Sequence, residues 1–154
     1  MTSVGKGMLA ALSATVVLSL LMVMKTMLGV MPALDLPKML ATMMDAPASP
    51  LLGWVAHFVI GVAGYGVAIA TLGHRMGQSP TVSGIVIGVI GWLLMMVVLM
   101  PLAGAGLFAL SMGPMAPVMT LALHLIFGAV LGWTYGKLVA ADVLPASQPH
   151  AVRP

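Results

Sequence analysis

The chain has 154 residues, of which 61 % are hydrophobic and only 6 % are charged. So few charges cannot cover a water-facing surface, which excludes an ordinary soluble domain and predicts an all-α membrane protein. The formal net charge of +3 is too small and too scattered for a nucleic-acid partner, and the length leaves no room for a separate soluble domain.

Two residue types are missing, and their absence narrows the chemistry. There is no cysteine, which removes thiolate metal sites, cysteine nucleophiles and the quinone-linked disulfide-forming membrane proteins. There is no glutamate, and the three aspartates, Asp35, Asp45 and Asp142, fall outside the long apolar runs. Paired-carboxylate catalysis is therefore excluded, as is the intramembrane carboxylate on which small multidrug transporters depend.

The first apolar run, 7–31, is long enough to cross a bilayer, because about 20 helical residues span about 30 Å. Lys6 precedes it as in a signal peptide, but the run is too long and no small-residue cleavage site follows, so we expect a retained helix that ends at Pro32. Asp35 can then cap a short amphipathic helix, whose apolar residues between Leu36 and Met43 recur at helical spacing. We expect this helix to lie on the membrane surface in the first outer loop.

Three further apolar runs have the length of membrane-spanning helices. They cover 51–72, 82–105 and 118–138, and loops rich in glycine and proline separate them. With the first run they predict a four-helix transmembrane bundle of up-down-up-down order, forming a single domain over 1–138. The last residues, 139–154, are rich in proline and alanine and predict a disordered cytoplasmic tail.

The positive charges predict an orientation for this bundle. Lys6, Arg75, Lys137 and Arg153 fall on one side of it, whereas Lys38 falls on the other. Because short cytoplasmic segments carry an excess of lysine and arginine, both termini are expected in the cytoplasm. The predicted location is the inner (plasma) membrane of a bacterium, as a multi-pass protein.

The second and fourth runs share a pattern. Each contains a histidine followed four positions later by a glycine, His57 with Gly61 and His124 with Gly128, and the first and third runs both end in Met-Pro. This predicts a parallel two-helix internal repeat. Glycines spaced by four also let helices approach closely in lipid, which favours a homo-oligomer or a subunit of a larger membrane complex.

Three ionisable side chains, Lys25, His57 and His124, lie inside the apolar runs. At roughly 1.5 Å per helical residue, each lies about 9 or 10 Å from the outer end of its run, so all three share a depth in the outer third of the bilayer. Ionisable groups in lipid are costly and often mark a functional site. A simpler interpretation is that Lys25 extends its ammonium to the interface and that the histidines hydrogen-bond across helices.

Two cofactors could use these groups. Opposed imidazoles of His57 and His124 can ligate the iron of haem b, with Gly61 and Gly128 leaving room for the macrocycle and Lys25 contacting a propionate or another anion. Methionine thioethers with imidazole suit Cu(I), although methionine more often fills apolar space. The methionines concerned are Met22, Met24, Met27, Met31, Met95, Met96 and Met100.

Three classes of function follow from these patterns. The glycine faces favour a non-enzymatic structural or accessory membrane subunit without a cofactor. The alternative is a membrane redox protein that binds haem through two histidines, or copper through Met and His. A second alternative is a small transporter or channel. The missing membrane carboxylate argues against it, although Lys25 could attract an anion.

Four stretches carry a resemblance to known proteins. They are Gly29 to Leu36, Gly53 to Gly61, Met100 to Phe108 and Leu123 to Gly132. In these stretches the chain resembles a family of small bacterial membrane proteins of unknown function, over roughly residues 8 to 138. The resemblance implies a four-helix membrane protein and supplies no activity.

Overall fold

The computed structural model describes residues 2–142, and over this range the chain is helical and contains no β-strand. Four helices are long and apolar enough to cross a membrane, and a short helix and a 3₁₀ segment lie in the connections between them. The elements are α1 (Ser3–Met27), α2 (Leu36–Met43), α3 (Pro50–Met76), α4 (Pro80–Leu102), the 3₁₀ segment Leu107–Met112 and α5 (Met115–Ala140).

Helix α1 ends earlier than the sequence pattern indicates. The chain leaves the helix at Gly29, whose φ of +68° is accessible to glycine without strain. The amides of Gly29 and Val30 donate to the carbonyl oxygens of Thr26 and Lys25, each at 3.0 Å. These two bonds form a Schellman motif, so the helix is closed by Gly29, and Pro32 lies beyond its end.

The other helix ends lie close to the predicted runs. Asp35 caps α2 as expected, because its carboxylate accepts a hydrogen bond from the backbone amide of Lys38 at 3.1 Å. Helix α5 continues to Ala140, so the first residues of the predicted tail 139–154 are helical. The part of that tail from 143 to 154 lies outside the described residues.

Close backbone contacts at glycines determine which helices pack together. Helix α1 lies against both α3 and α5, and α5 also packs along α4, whereas α3 and α4 meet mainly near the turn that joins them. A Cβ atom added to Gly7 would lie 2.2 Å from the carbonyl oxygen of Gly66, and one added to Gly84 would lie 2.3 Å from that of Gly128. Such contacts leave no space for a side chain at these crossings.

The outer surface of the bundle is apolar, and small residues of α1 are buried at its centre. Ala10, Ala11 and Ala14 of α1 are fully buried, whereas Leu20 is 65 % exposed and Leu94 is 61 % exposed. Exposed leucine over whole helices is unfavourable in water and favourable in hydrocarbon. The distribution therefore agrees with four helices surrounded by lipid.

The two ends of the described chain are joined by an ion pair. The ammonium group of Lys6 in α1 donates to the carboxylate of Asp142, just after α5. This hydrogen bond, together with the positive charges nearby, holds the pKa of the Asp142 carboxyl below its usual range. Because the carboxylate is exposed, we expect the pair to fix the geometry of this end more than it stabilises the fold.

The glycine contact between α4 and α5 can be tested by adding one methyl group. We expect Gly84→Ala to lower the free energy of unfolding by about 1–3 kcal/mol, because the new Cβ would overlap backbone atoms of α5. Gly64→Ala is the matched control, since a Cβ there meets no atom within 4 Å. That variant should keep or gain stability, by up to about 1 kcal/mol. Thermal unfolding in detergent, followed by circular dichroism, measures both, and equal midpoints would contradict this packing.

Candidate functional site

A groove of about 580 Å³ lies between α3 and α4. It exists because these two helices pack against α1 and α5 but make little contact with each other away from their turn. Thr15 and Leu18 of α1 line it, with His124 and Phe127 of α5, and α3 and α4 form its sides. Its surface is almost entirely apolar, so its few polar groups define where chemistry can occur.

Both helices at the sides of the groove contain a widened turn. Ile60–Gly64 in α3 and Met95–Leu99 in α4 are π-helical, and residues of both segments line the groove. A π-helical turn inserts one extra residue into an α-helix and occurs frequently at functional sites. The two distortions therefore coincide with the groove.

His57 of α3 lines the groove and is only 5 % exposed. Its Nε2 lies 3.2 Å from the hydroxyl oxygen of Ser19, and that hydroxyl donates to the carbonyl oxygen of Thr15 at 2.7 Å. Because the single hydroxyl proton is used in the second bond, Nε2 must donate to Ser19. The hydrogen-bond network thus assigns the proton of His57 to Nε2 and leaves Nδ1 with a lone pair.

His124 of α5 lines the same groove and has its proton on the opposite ring nitrogen. Its Nδ1 lies 2.8 Å from the carbonyl oxygen of Thr120, which can only accept a hydrogen bond. Nδ1 is therefore the donor, and Nε2 carries the lone pair. Within residues 2–142 neither this nitrogen nor Nδ1 of His57 has a partner, although every fully buried side-chain nitrogen and oxygen there has one. Both lone pairs are consequently accessible.

Tyr65 adds a third polar group to the groove. Its ring lies edge-on to the ring of Phe127, with centroids 4.7 Å apart, and its hydroxyl reaches α4. A Cβ atom on Gly91 would lie 1.8 Å from that hydroxyl oxygen. Gly91 thus accommodates the end of the tyrosine ring, which separates α3 from α4 at this level.

The ammonium group of Lys25 bonds to backbone carbonyl oxygens that follow it closely in the sequence. It is 8 % exposed, and its ammonium donates to the carbonyl oxygens of Val30, Met31 and Leu34 at 3.3, 3.0 and 2.8 Å. An ammonium has three donors, so an anion or a propionate would have to displace one of these carbonyls. The side chain borders a small cavity of about 40 Å³, which His124 also lines, and it does not line the groove.

The methionines named for copper do not form one group. Met22 belongs to the core around α1. Met96 and Met100 are buried in a second cluster near the connection to α5, and Met31 and Met95 pack against that cluster. Met24 and Met27 are exposed on the outer surface of α1. Within residues 2–142 no three histidine or carboxylate side chains are grouped so that they could hold a metal ion.

The sequence indicates the two histidines but not Ser19, which bonds to His57, or Tyr65, which lines the same groove. Ser19 was missed because a serine in an apolar helix commonly bonds its own helix, and only the fold brings it to His57. Tyr65 carried a usable signal, since it is a polar aromatic residue between Gly64 and Gly66 in the middle of an apolar run.

Comparison with known proteins gives one match. The model of a family of unknown function, DUF6789, matches residues 1–144. The chain belongs to this family. No curated protein and no solved structure matches it. Membership in DUF6789 confirms the resemblance to an uncharacterised family and contributes no activity, so a function for the chain has to be argued from the groove.

The role of Lys25 can be tested by removing its charge. In Lys25→Met the carbonyl oxygens of three residues lose their donor, so we expect the free energy of unfolding to fall by about 1–3 kcal/mol. Lys38→Met is the control, because that side chain is exposed and only its backbone amide bonds to Asp35. Thermal unfolding of both variants in detergent is the measurement. Equal midpoints would show that the three bonds add nothing to the fold.

Proposed function

We propose that this protein is a small multi-pass membrane protein that binds a neutral, lipophilic molecule in the groove between α3 and α4. The observation that carries the proposal is an apolar groove of about 580 Å³ lined by two histidines, each of which has one ring nitrogen without a hydrogen bond within residues 2–142. Ligand sites commonly have volumes of about 300–1,000 Å³, apolar walls and a few polar groups that fix the orientation of the ligand.

The position of the groove supports entry from the bilayer. Ile60 of α3 and Leu94 and Val98 of α4 line the groove, and they are also 49 %, 61 % and 50 % exposed on the outer surface. Because these side chains line the groove and also face the outside of the bundle, the groove opens laterally between α3 and α4. Such an opening faces hydrocarbon when the helices span a membrane, so a molecule dissolved in lipid can enter without crossing water.

The polar groups of the groove support a neutral ligand. None of the side chains that line it carries a fixed charge, and Lys25 is bonded to carbonyl oxygens elsewhere. A phosphate or a carboxylate would therefore be buried in apolar surroundings without a counter-charge, which is costly. A neutral head group can be held by the imidazoles alone.

Haem is the second candidate, and one observation favours it. Histidines that ligate metals usually donate their other ring nitrogen to a carbonyl oxygen, as His124 does to Thr120. Nδ1 of His57 would be the second ligand. The expectation that Gly61 and Gly128 leave room for the macrocycle is wrong, because a Cβ atom on them would lie 2.4 Å from the Thr15 hydroxyl oxygen and 2.5 Å from the Gly84 carbonyl oxygen. This candidate predicts a Soret band in protein purified from haem-replete cells, and loss of the band in His124→Ala. A colourless preparation would contradict it and leave the lipophilic-ligand proposal standing.

The same proposal includes a topology. We propose that α1, α3, α4 and α5 alternate in direction, with both termini in the cytoplasm of a bacterium and the protein in its inner membrane. The contact of Lys6 with Asp142, which places the start of α1 beside the end of α5, supports this arrangement. The pairing of α1 with α3 and of α4 with α5 supports two similar halves. Self-association, or assembly into a larger complex, would use the exposed apolar faces.

The first prediction of this proposal concerns a molecule that copurifies with the protein. A Cβ atom on Gly64 meets open space, and Gly64 lines the groove, so Gly64→Trp should fill it without a backbone clash. We expect solvent extracts of the wild type and of Gly64→Ala to contain a neutral lipophilic compound in amounts close to that of the protein. Extracts of Gly64→Trp should have lost it. Mass spectrometry of the extracts measures this, and identical extracts from all three proteins would contradict the proposal.

The second prediction concerns topology. Because the chain contains no cysteine, single cysteines can be placed at Ser49, before α3, and at Ser79, before α4. With a membrane-impermeant maleimide we expect Ser49→Cys to be labelled in intact spheroplasts and Ser79→Cys to be labelled only after lysis. The reverse pattern would overturn the orientation, and labelling of both in intact spheroplasts would overturn the alternation.

A further inference from the structure

The two histidines of the groove already donate their only N–H groups to the protein, so they can only accept a hydrogen bond from a ligand. The hydroxyl oxygen of Ser19 accepts a hydrogen bond from Nε2–H of His57, and the carbonyl oxygen of Thr120 accepts one from Nδ1–H of His124. Each ring therefore has a lone pair, and no free N–H, to offer an occupant of the groove. A neutral imidazole in other surroundings can exchange these roles freely, whereas here each exchange would lose a hydrogen bond.

The cost of exchanging the roles is visible in the contacts. If the proton of His124 moved to Nε2, the lone pair of Nδ1 would face the carbonyl oxygen of Thr120 at 2.8 Å. If the proton of His57 moved to Nδ1, the hydroxyl of Ser19 would have to turn away from the Thr15 carbonyl oxygen. Both changes replace a hydrogen bond by a repulsion or a lost bond, in apolar surroundings where no water compensates.

From this we infer the class of the ligand that the groove selects. The structure assigns the site to a lipophilic aromatic alcohol, a phenol or a hydroquinone, whose hydroxyl donates to Nδ1 of His57 or Nε2 of His124. The inference rests on the proposed function. A molecule of the same shape with only acceptors, such as an aryl ether or a quinone, would place its oxygen against a nitrogen lone pair and bind less tightly.

The surroundings of the histidines favour an aromatic ring over a plain alkyl alcohol. Tyr65 and Phe127 meet edge-to-face at the groove, and both rings line it. A ligand ring can extend this aromatic contact, which adds to the energy of apolar burial. The hydroxyl of Tyr65 does not discriminate between donors and acceptors, because it can act as either.

A pair of probes that differ by one methyl group tests the inference. We would measure binding of 4-heptylphenol and of 4-heptylanisole to the purified full chain in detergent by isothermal titration calorimetry. We expect the phenol to bind roughly tenfold more tightly, since the two probes share their chain and ring and differ in one hydrogen bond. In His124→Phe and His57→Phe the ratio should fall toward one, whereas Tyr65→Phe should keep it.

The outcomes separate the inference from the proposed function. Equal binding of both probes to the wild type, or tighter binding of the anisole, overturns the inference and leaves a lipophilic site. Binding of neither probe overturns the proposed function and the inference with it. The wild-type ratio decides the question even if a histidine variant fails to fold. Gly64→Trp, which should bind neither probe, shows whether the measured binding occurs in the groove.

Discussion

Close approach of helix backbones at glycine is the constraint on which the rest of this structure depends. In hydrocarbon, apolar side chains gain little by burial, so helices associate where small residues let their backbones meet. Gly7 and Gly66 do this for α1 and α3, and Gly84 and Gly128 do it for α4 and α5. Helices α3 and α4 have no such glycine pair, and their contact at Gly91 is with the ring of Tyr65. The pairing therefore leaves an open side, and the groove occupies it.

The polar residues follow from the same constraint. A polar group within the bundle must find its partner there, because lipid offers none. Lys25 satisfies its three donors with carbonyl oxygens at one end of α1, and Lys6 pairs with Asp142 at the other. His57 and His124 satisfy only one ring nitrogen each within residues 2–142. The ammonium groups of Lys6 and Lys25 are therefore bonded within the fold. His57 and His124 each keep one ring nitrogen available to a ligand.

Much of the fold can be predicted from the sequence, because length and hydropathy determine which segments span a membrane. The four long apolar helices are confirmed, and α2 begins directly after its cap, Asp35, as the capping pattern predicts. The end of α1 was mispredicted, because Pro32 is a conspicuous stop signal whereas Gly29 closes the helix through hydrogen bonds that form only in three dimensions.

The candidate site was predictable in part. Counting residues along the apolar runs placed His57 and His124 at one depth, and both line the groove. The partners of Lys25 could not be predicted, since they are carbonyl oxygens of an irregular segment after α1. The groove could not be predicted either, because it depends on which face of each helix its glycines occupy, and therefore on which helices pair.

An experimental structure of the protein in a lipid nanodisc would test most directly whether the groove holds a ligand beside the two histidines. We expect α3 and α4 to remain apart at the level of Tyr65, with density for an elongated molecule between them. One end of that density should lie within hydrogen-bonding distance of Nδ1 of His57 or Nε2 of His124. A structure in which α3 and α4 close against each other, leaving no space beside the histidines, would contradict this expectation.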